Sequence, residues 1–260
     1  MKTLNQSGYE DDLNRIMDHN LCGLNAAVRG YDAEWDTFSV DRGKNGYFMR
    51  KPDGLWMLAH WDGDRAFSGT TRKFTSGRSG TSTYLNKPYL RRHMNYYLTE
   101  LVDKHTENSV RTAAWMSAEQ TSVSSPSFPT SKFTNWFSGR KASTLSFIGS
   151  AYSTNFNVTP AGGTTTADFR TISGTAPSEV FDIRVLERPE GVVEWSGTTA
   201  WTIRDLWLAN GQNSFTIQGP DRAGNVVPTD SYSITNSNNA PPHVSLPALI
   251  PTSTSRPTTT

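Results

Sequence analysis

The sequence predicts a mixed α+β chain built from two unlike parts, and three observations carry that prediction. Up to about residue 150, apolar residues recur at helical spacing in several stretches. Two short apolar runs around a Pro52-Asp53-Gly54 triplet interrupt them and read as a β-hairpin. From Tyr152 onward the helical period is lost, and short β-rich runs alternate with turn clusters roughly every 8–12 residues.

The elements follow in order. Ser7-Gly8-Tyr9-Glu10 reads as a capping box, and Leu13, Ile16, Met17, Leu21, Leu24 and Val28 recur behind it. With Gly30 at the C-cap position, the expectation is a helix over 9–29. The stretch 31–44 is polar and irregular, with three aspartates and a glutamate. The hairpin strands are 47–50 and 55–58, and His60-Trp61-Asp62-Gly63-Asp64 follows directly. Residues 65–86, rich in Gly, Ser, Thr and Arg, read as a surface loop. Pro88 opens a second helix, with Leu90, Met94, Tyr97, Leu98, Leu101 and Val102 as its stripe. Helical stretches are expected at 110–119 and 131–148, with a Ser/Pro loop between them.

In the second part the strand candidates are 155–159, 168–173, 180–186, 192–195, 201–208, 214–218 and 231–235. Gly211-Gln212-Asn213 and Asp221-Arg222-Ala223-Gly224-Asn225 are the expected turns. Seven short strands in this span form the pattern of an immunoglobulin-like sandwich. The organisation is therefore 1–150, then a sandwich over 151–237, then a Pro/Ser/Thr-rich linker over 238–260.

Composition narrows the function classes. The 260 residues are 35% apolar and 19% charged, with a formal net charge of +1. No global basic field exists to bind nucleic acid by counterion release. No apolar run reaches the ~20 residues that would cross a bilayer. The opening residues 1–7 lack the apolar segment of a secretory signal. Cys22 is the single cysteine, so neither an intrachain disulfide nor a thiolate metal cluster is expected, and core packing is its ordinary role.

Acidic and amide groups gather around the hairpin. Asp36 and Asp41 precede its first strand, Asn45 begins it, and Asp62 and Asp64 follow the second. A hairpin returns the end of its second strand to the start of its first, so Asn45 and Asp62 should lie within one or two residue spacings. A kinase-like site needs a loop aspartate for the acceptor hydroxyl, an amide for Mg²⁺, and an aspartate holding that metal against phosphates. Mg²⁺ takes hard oxygen ligands and keeps several waters, so one carboxylate and one amide suffice.

Four successive blocks carry a resemblance: Trp35-Asp36-Thr37-Phe38, Gly43-Lys44-Asn45-Gly46-Tyr47-Phe48, Asp53-Gly54-Leu55-Trp56 and Trp61-Asp62-Gly63-Asp64-Arg65-Ala66-Phe67. Together they resemble the CotH family of atypical protein kinases, which includes spore-coat kinases using ATP and a divalent metal. The resemblance spans about 13–148, corresponding to the C-terminal part of that domain. His60 stands where the family has proline and Ser68 where it often has glycine. The second part is similar to a β-domain that often follows CotH domains in bacterial surface proteins.

The resemblance implies ATP with Mg²⁺ or Mn²⁺ as cofactors and a protein substrate at an extracellular, cell or spore surface. Asp36 would orient the acceptor hydroxyl, with Asp41 as the competing choice. Lys44 and Asn45 would face the nucleotide, and Asn45, Asp62 and Asp64 the metal. An N-terminal lobe, which supplies the glycine-rich cover and phosphate-binding lysine, is not read before Asp36, so this stretch alone is not expected to close over ATP. Arg91, Arg92 and Arg140 also fall in the matching helices, and the ordinary expectation for helix arginines such as Arg91 and Arg92 is solvation. His105 is expected near a helix C-terminus, where a proton is welcome. Trp195, Trp201 and Trp207 are expected to be core, with a carbohydrate-stacking platform as the alternative.

Overall fold

The computed structural model describes residues 13, 15–34, 37, 45–62, 66, 67, 69–75, 84–123, 130–159 and 161–238. The class is α+β, as the sequence predicts. Helix α1 (His19–Tyr31) is followed by the hairpin β1 (Gly46–Arg50) and β2 (Trp56–His60). Helices α2 (Pro88–Asp103), α3 (His105–Val123) and α4 (Thr130–Ile148) come next, then a 3₁₀ turn (Gly149–Tyr152). Pro88 does open α2, where its missing N–H costs nothing.

The expected first helix is interrupted: Leu13, Arg15 and Ile16 are helical, with Met17 N–H on the Leu13 carbonyl at 2.9 Å, but the helix restarts only at His19. Asp18 is the N-cap, with extended φ/ψ of −80° and 93°, and its side chain accepts from the Leu21 N–H at 2.9 Å. Just before it, Met17 forms a parallel bridge with Trp56, and Asp18 N–H donates to the Trp56 carbonyl at 2.7 Å. The competing β-bridge ends any continuous helix there. The capping box at 7–10 lies outside the described residues.

The buried face of α1 also differs from the expected leucine stripe. Cys22, Gly23, Ala26, Ala27 and Gly30 are buried, whereas Val28 is exposed. Small residues let α1 approach α2 closely. A Cβ on Gly23 would stand 2.6 Å from His93 Cβ and 3.1 Å from the Met94 backbone nitrogen. Gly30 lies inside the helix rather than capping it, and its Cβ would meet Phe74 Cδ1 at 2.8 Å. The stripe on α2 is as expected at Leu90, Met94, Tyr97, Leu98 and Val102, all buried.

The second part holds two four-stranded sheets. One has the order β4-β10-β9-β6 and the other β3-β5-β8-β7. The strands are β3 (Asn157–Thr159), β4 (Thr164–Thr165), β5 (Phe169–Thr175), β6 (Arg184–Val185), β7 (Val192–Trp195), β8 (Ala200–Trp207), β9 (Gly211–Pro220) and β10 (Val226–Asn236). Inward residues of both sheets, among them Ile172, Trp201, Ile203, Phe215, Ile217 and Ile234, share one core. Each of the seven expected runs holds a strand. The two-residue β4, paired parallel with β10, carries too little pattern to be read from sequence.

Gly211-Gln212-Asn213 begins β9 instead of forming a turn. Asn213 is buried and closes the preceding turn with its amide, accepting from Ala209 N–H at 2.8 Å and donating to the Ala209 carbonyl at 2.8 Å. The Asp221–Asn225 turn stands as expected, with Gly224 at φ 90° and Asn225 N–H on the Asp221 carboxylate at 2.8 Å. Trp201 is fully buried, but Trp195 is half-buried and Trp207 is 40% exposed, so the tryptophans are not all core.

Candidate functional site

Helix α1 and the hairpin are of similar length, since thirteen helical residues span about 20 Å and five strand residues about 17 Å. They are tied at both ends. At the hairpin turn, Lys51 Nζ sits 2.6 Å from Asp18 Oδ2 and 2.7 Å from Asp53 Oδ2. Asp53 also accepts from Leu55 N–H at 3.0 Å, and Gly54 takes φ 90°, a value that favours glycine. At the open end, Arg29 Nη2 donates to the Asp62 carbonyl at 3.3 Å.

That open end is where Asn45 and Asp62 lie. The ladder runs from Gly46 opposite His60 to Arg50 opposite Trp56. One residue further out, Trp61 N–H donates to the Asn45 carbonyl at 3.3 Å. Asn45 and Asp62 are thus neighbours across the mouth of the hairpin, with Asn45 half-buried and Asp62 exposed. Both have left-handed backbones, φ 57° and 56°. Asn and Asp tolerate that region better than other residues with a Cβ, so the backbone alone supplies one reason for their identity. The edge-on pair Tyr47 and Trp61, 5.6 Å between centroids, borders them. Asp36, Asp41, Lys44 and Asp64 lie outside the described residues.

Three further groups, Arg29, Asp32 and Glu34, were not read from sequence. Arg29 is 2% exposed and lies 3.8 Å from the buried carboxylate of Glu34. Asp32 accepts from Glu34 N–H at 3.0 Å through its side chain, and from Phe67 N–H at 2.6 Å through its carbonyl. Burial pushes the Asp32 carboxyl up to about 7, against the pull of the Glu34 N–H, Arg29 and Arg140. Asp32 lines a cleft of about 500 Å³ together with Tyr31, Phe67, Leu101, Trp115 and Phe137. A carboxyl poised near neutrality in a cleft wall is suited to proton transfer. The only sequence signal for it is an acidic residue directly after a helix, which is weak.

The arginines of the matching helices are not solvated. Arg140 is fully buried and wraps the C-terminus of α1. It donates to the Tyr31 carbonyl at 3.0 Å, to Thr70 at 2.8 Å, to Arg72 at 2.7 Å, and also to Gly30. It therefore satisfies carbonyls a helix end leaves open and adds favourable positive charge there. Arg91 lies 3.5 Å over the Phe147 ring and donates to its carbonyl at 3.1 Å. Arg92 is 1% exposed. His105 begins α3, and burial lowers its pKa, so the expected stabilised proton is replaced by a disfavoured one.

Mg²⁺ needs hard oxygens and no more than one or two protein carboxylates. The Asn45 amide and the exposed Asp62 carboxylate fit that requirement. Among the described residues no group of three or more His, Cys, Asp or Glu side chains that could hold a metal comes together. Likewise, no helix among the described residues is long and apolar enough to cross a membrane. Comparison with protein-family profiles, with curated proteins and with solved structures finds no match.

Proposed function

We propose that the chain is the C-terminal part of a CotH-type protein kinase domain joined to an immunoglobulin-like sandwich, in a protein that acts at a cell or spore surface. The reaction is transfer of the ATP γ-phosphoryl to a Ser or Thr hydroxyl of a protein substrate. One observation carries the reading: Asn45 and Asp62 flank the mouth of one hairpin, with Trp61 N–H on the Asn45 carbonyl at 3.3 Å. The four sequence blocks around that hairpin supply the family.

In this reading Asn45 and Asp62 hold a Mg²⁺ or Mn²⁺ ion, and Lys44 faces the nucleotide. Asp36, or Asp41 in its place, orients the acceptor hydroxyl and takes its proton. When bound, the metal would neutralise phosphate charge. Arg29 fixes the backbone of Asp62 from α1, so the carboxylate-bearing loop is anchored on a rigid element. The test is phosphoryl transfer from labelled ATP by the gene product carrying this chain, with and without Mg²⁺. Metal-dependent labelling abolished in Asp62→Ala supports the reading, and equal labelling by the variant removes Asp62 from the mechanism.

A second reading is a non-catalytic extracellular scaffold or adhesion module. The left-handed backbones of Asn45 and Asp62 favour it, because they explain both residue types without a metal.

A further inference from the structure

Strand β8 begins with regular alternation: Trp201 and Ile203 face the core, Ala200 and Thr202 do not. Its pairing with β5 then slips between Arg170 and Ile172, and Asp205 takes a left-handed φ of 55°. This bulge reverses the phase of the strand. Leu206 returns to the core at 2% exposure, and Trp207 is turned out to 40%. Unbroken alternation would have put Trp207 inside and Leu206 outside.

The pairing of β7 with β8 ends at Val192 opposite Arg204. Beyond that register the chain through Arg188, Glu190 and Gly191 diverges from β8 and leaves a pocket of about 240 Å³. Trp207 and the exposed Val192 give it apolar surface, and Asp205, Glu190, Arg188 and Arg204 give it a polar rim. Arg188 lies 4.8 Å over the Trp207 ring and donates to its carbonyl at 3.4 Å. Arg204 is held by Glu194 at 2.8 Å.

The chemistry of this rim selects among ligands. The lining mixes carboxylates with guanidinium groups, which disfavours a polyanion. Among the described residues no three acidic, His or Cys side chains converge as a metal site. The volume lies below that of sites for drug-sized ligands. An indole wall beside acceptors and donors suits a sugar ring. The C–H face of a pyranose packs on the indole, while its hydroxyls donate to carboxylates and accept from guanidinium groups. Phe169 is opposite Trp207 in the register and 54% exposed, so the apolar strip continues past one ring.

We infer that this pocket binds a neutral oligosaccharide, with one ring stacked on Trp207 and its hydroxyls held by Asp205 and Glu190. The site does not depend on the phosphoryl-transfer reading. Its test is calorimetric titration of the whole chain with neutral tetrasaccharides (β-1,4-linked glucose, N-acetylglucosamine and mannose, and α-1,4-linked glucose) and with a sulfated tetrasaccharide. At least one neutral tetramer is expected to bind. Trp207→Ala, Asp205→Asn and Glu190→Gln are each expected to weaken it about ten-fold or more, with Trp207→Phe retaining most of the affinity. Asn tolerates the left-handed backbone and position 190 is exposed, so the last two polar variants keep the fold. Trp115→Ala, an exposed tryptophan on α3 that does not line this pocket, should leave the sugar affinity unchanged. No binding of any neutral tetramer by the folded chain, binding of the sulfated one alone, or unchanged affinity in the three variants overturns the proposal.

Discussion

Arg92 on α2 donates to the Pro177 carbonyl at 2.7 Å, 85 residues further along the chain. The same guanidinium reaches Thr198 at 3.0 Å and the carbonyls of Ala176 and Val180, and lies 4.2 Å over the Trp195 ring. Thr99 and Ser178 hydroxyls meet at 2.6 Å, and Arg222 N–H donates to Tyr96 Oη at 3.0 Å along the same seam. Helices and sandwich are joined by buried polar contacts centred on one arginine.

Replacing Arg92 by Met therefore leaves buried carbonyls without a donor and should lower stability by about 3 kcal/mol or more. Arg92→Lys should rescue little, because an ammonium cannot serve a forked set of acceptors. The check is thermal unfolding followed by calorimetry. A midpoint unchanged in Arg92→Met would contradict the seam.

Arg140 plays the matching part at the end of α1. Arg140→Ala should cost about 3 kcal/mol or more, since several carbonyls lose their donor. Hydrogen exchange localises the effect: the amides of Asp32, Ala33 and Glu34 should exchange faster, out of proportion to those of β9 and β10.

In the sandwich, a Cβ on Gly174 would stand 2.1 Å from the Asn157 carbonyl oxygen and 2.2 Å from Trp201 Cζ2. Gly174→Ala should shift β3 away from β5 or displace Trp201, costing about 3 kcal/mol by overpacking. Chemical denaturation measures it. A variant as stable as the parent would mean that β3 can leave freely.

The pH dependence of stability has two opposing sources. Burial lowers His19 and His93 to about 4 from an ordinary 6.5. The unfolded chain binds more protons between those values, so stability rises with pH from about 4 to about 6.5. Asp32 is raised to about 7 from 3.8, so over that range the folded state holds the extra proton and stability falls as pH rises. Two imidazoles against one carboxyl give a net rise up to about pH 6.5 and then a decline that levels off as pH passes about 7. In Asp32→Asn the decline near 7 should vanish. A thermal midpoint profile from pH 4 to 8 with the same shape in both proteins would refute the assignment.

What the sequence made legible follows from the range of each signal. Helix α2 and seven strands have apolar periods written in adjacent residues, and the Asp221–Asn225 turn has its chemistry in place. The proximity of Asn45 and Asp62 was also readable, because a hairpin fixes it through local pairing. The start of α1 was not, since the Met17 bridge depends on Trp56, far along the chain. Arg92 reads as a solvated residue, and Arg140 gives no sign of its role, because their partners are backbone carbonyls, which any sequence supplies. Asp32 gains its raised pKa from burial by α1, α4 and the Phe67 segment, a property of packing rather than of its neighbours in sequence.

The proposed sharing of one divalent ion by Asn45 and Asp62 is tested most directly by Mn²⁺ titration of ¹⁵N-labelled protein. Selective paramagnetic broadening of the Asn45 side-chain amide and the Trp61 and Asp62 backbone amides is expected, and Asp62→Ala should abolish it while leaving the rest of the spectrum in place. Sharp Asn45 signals at saturating Mn²⁺, or broadening that survives in Asp62→Ala, would contradict the account.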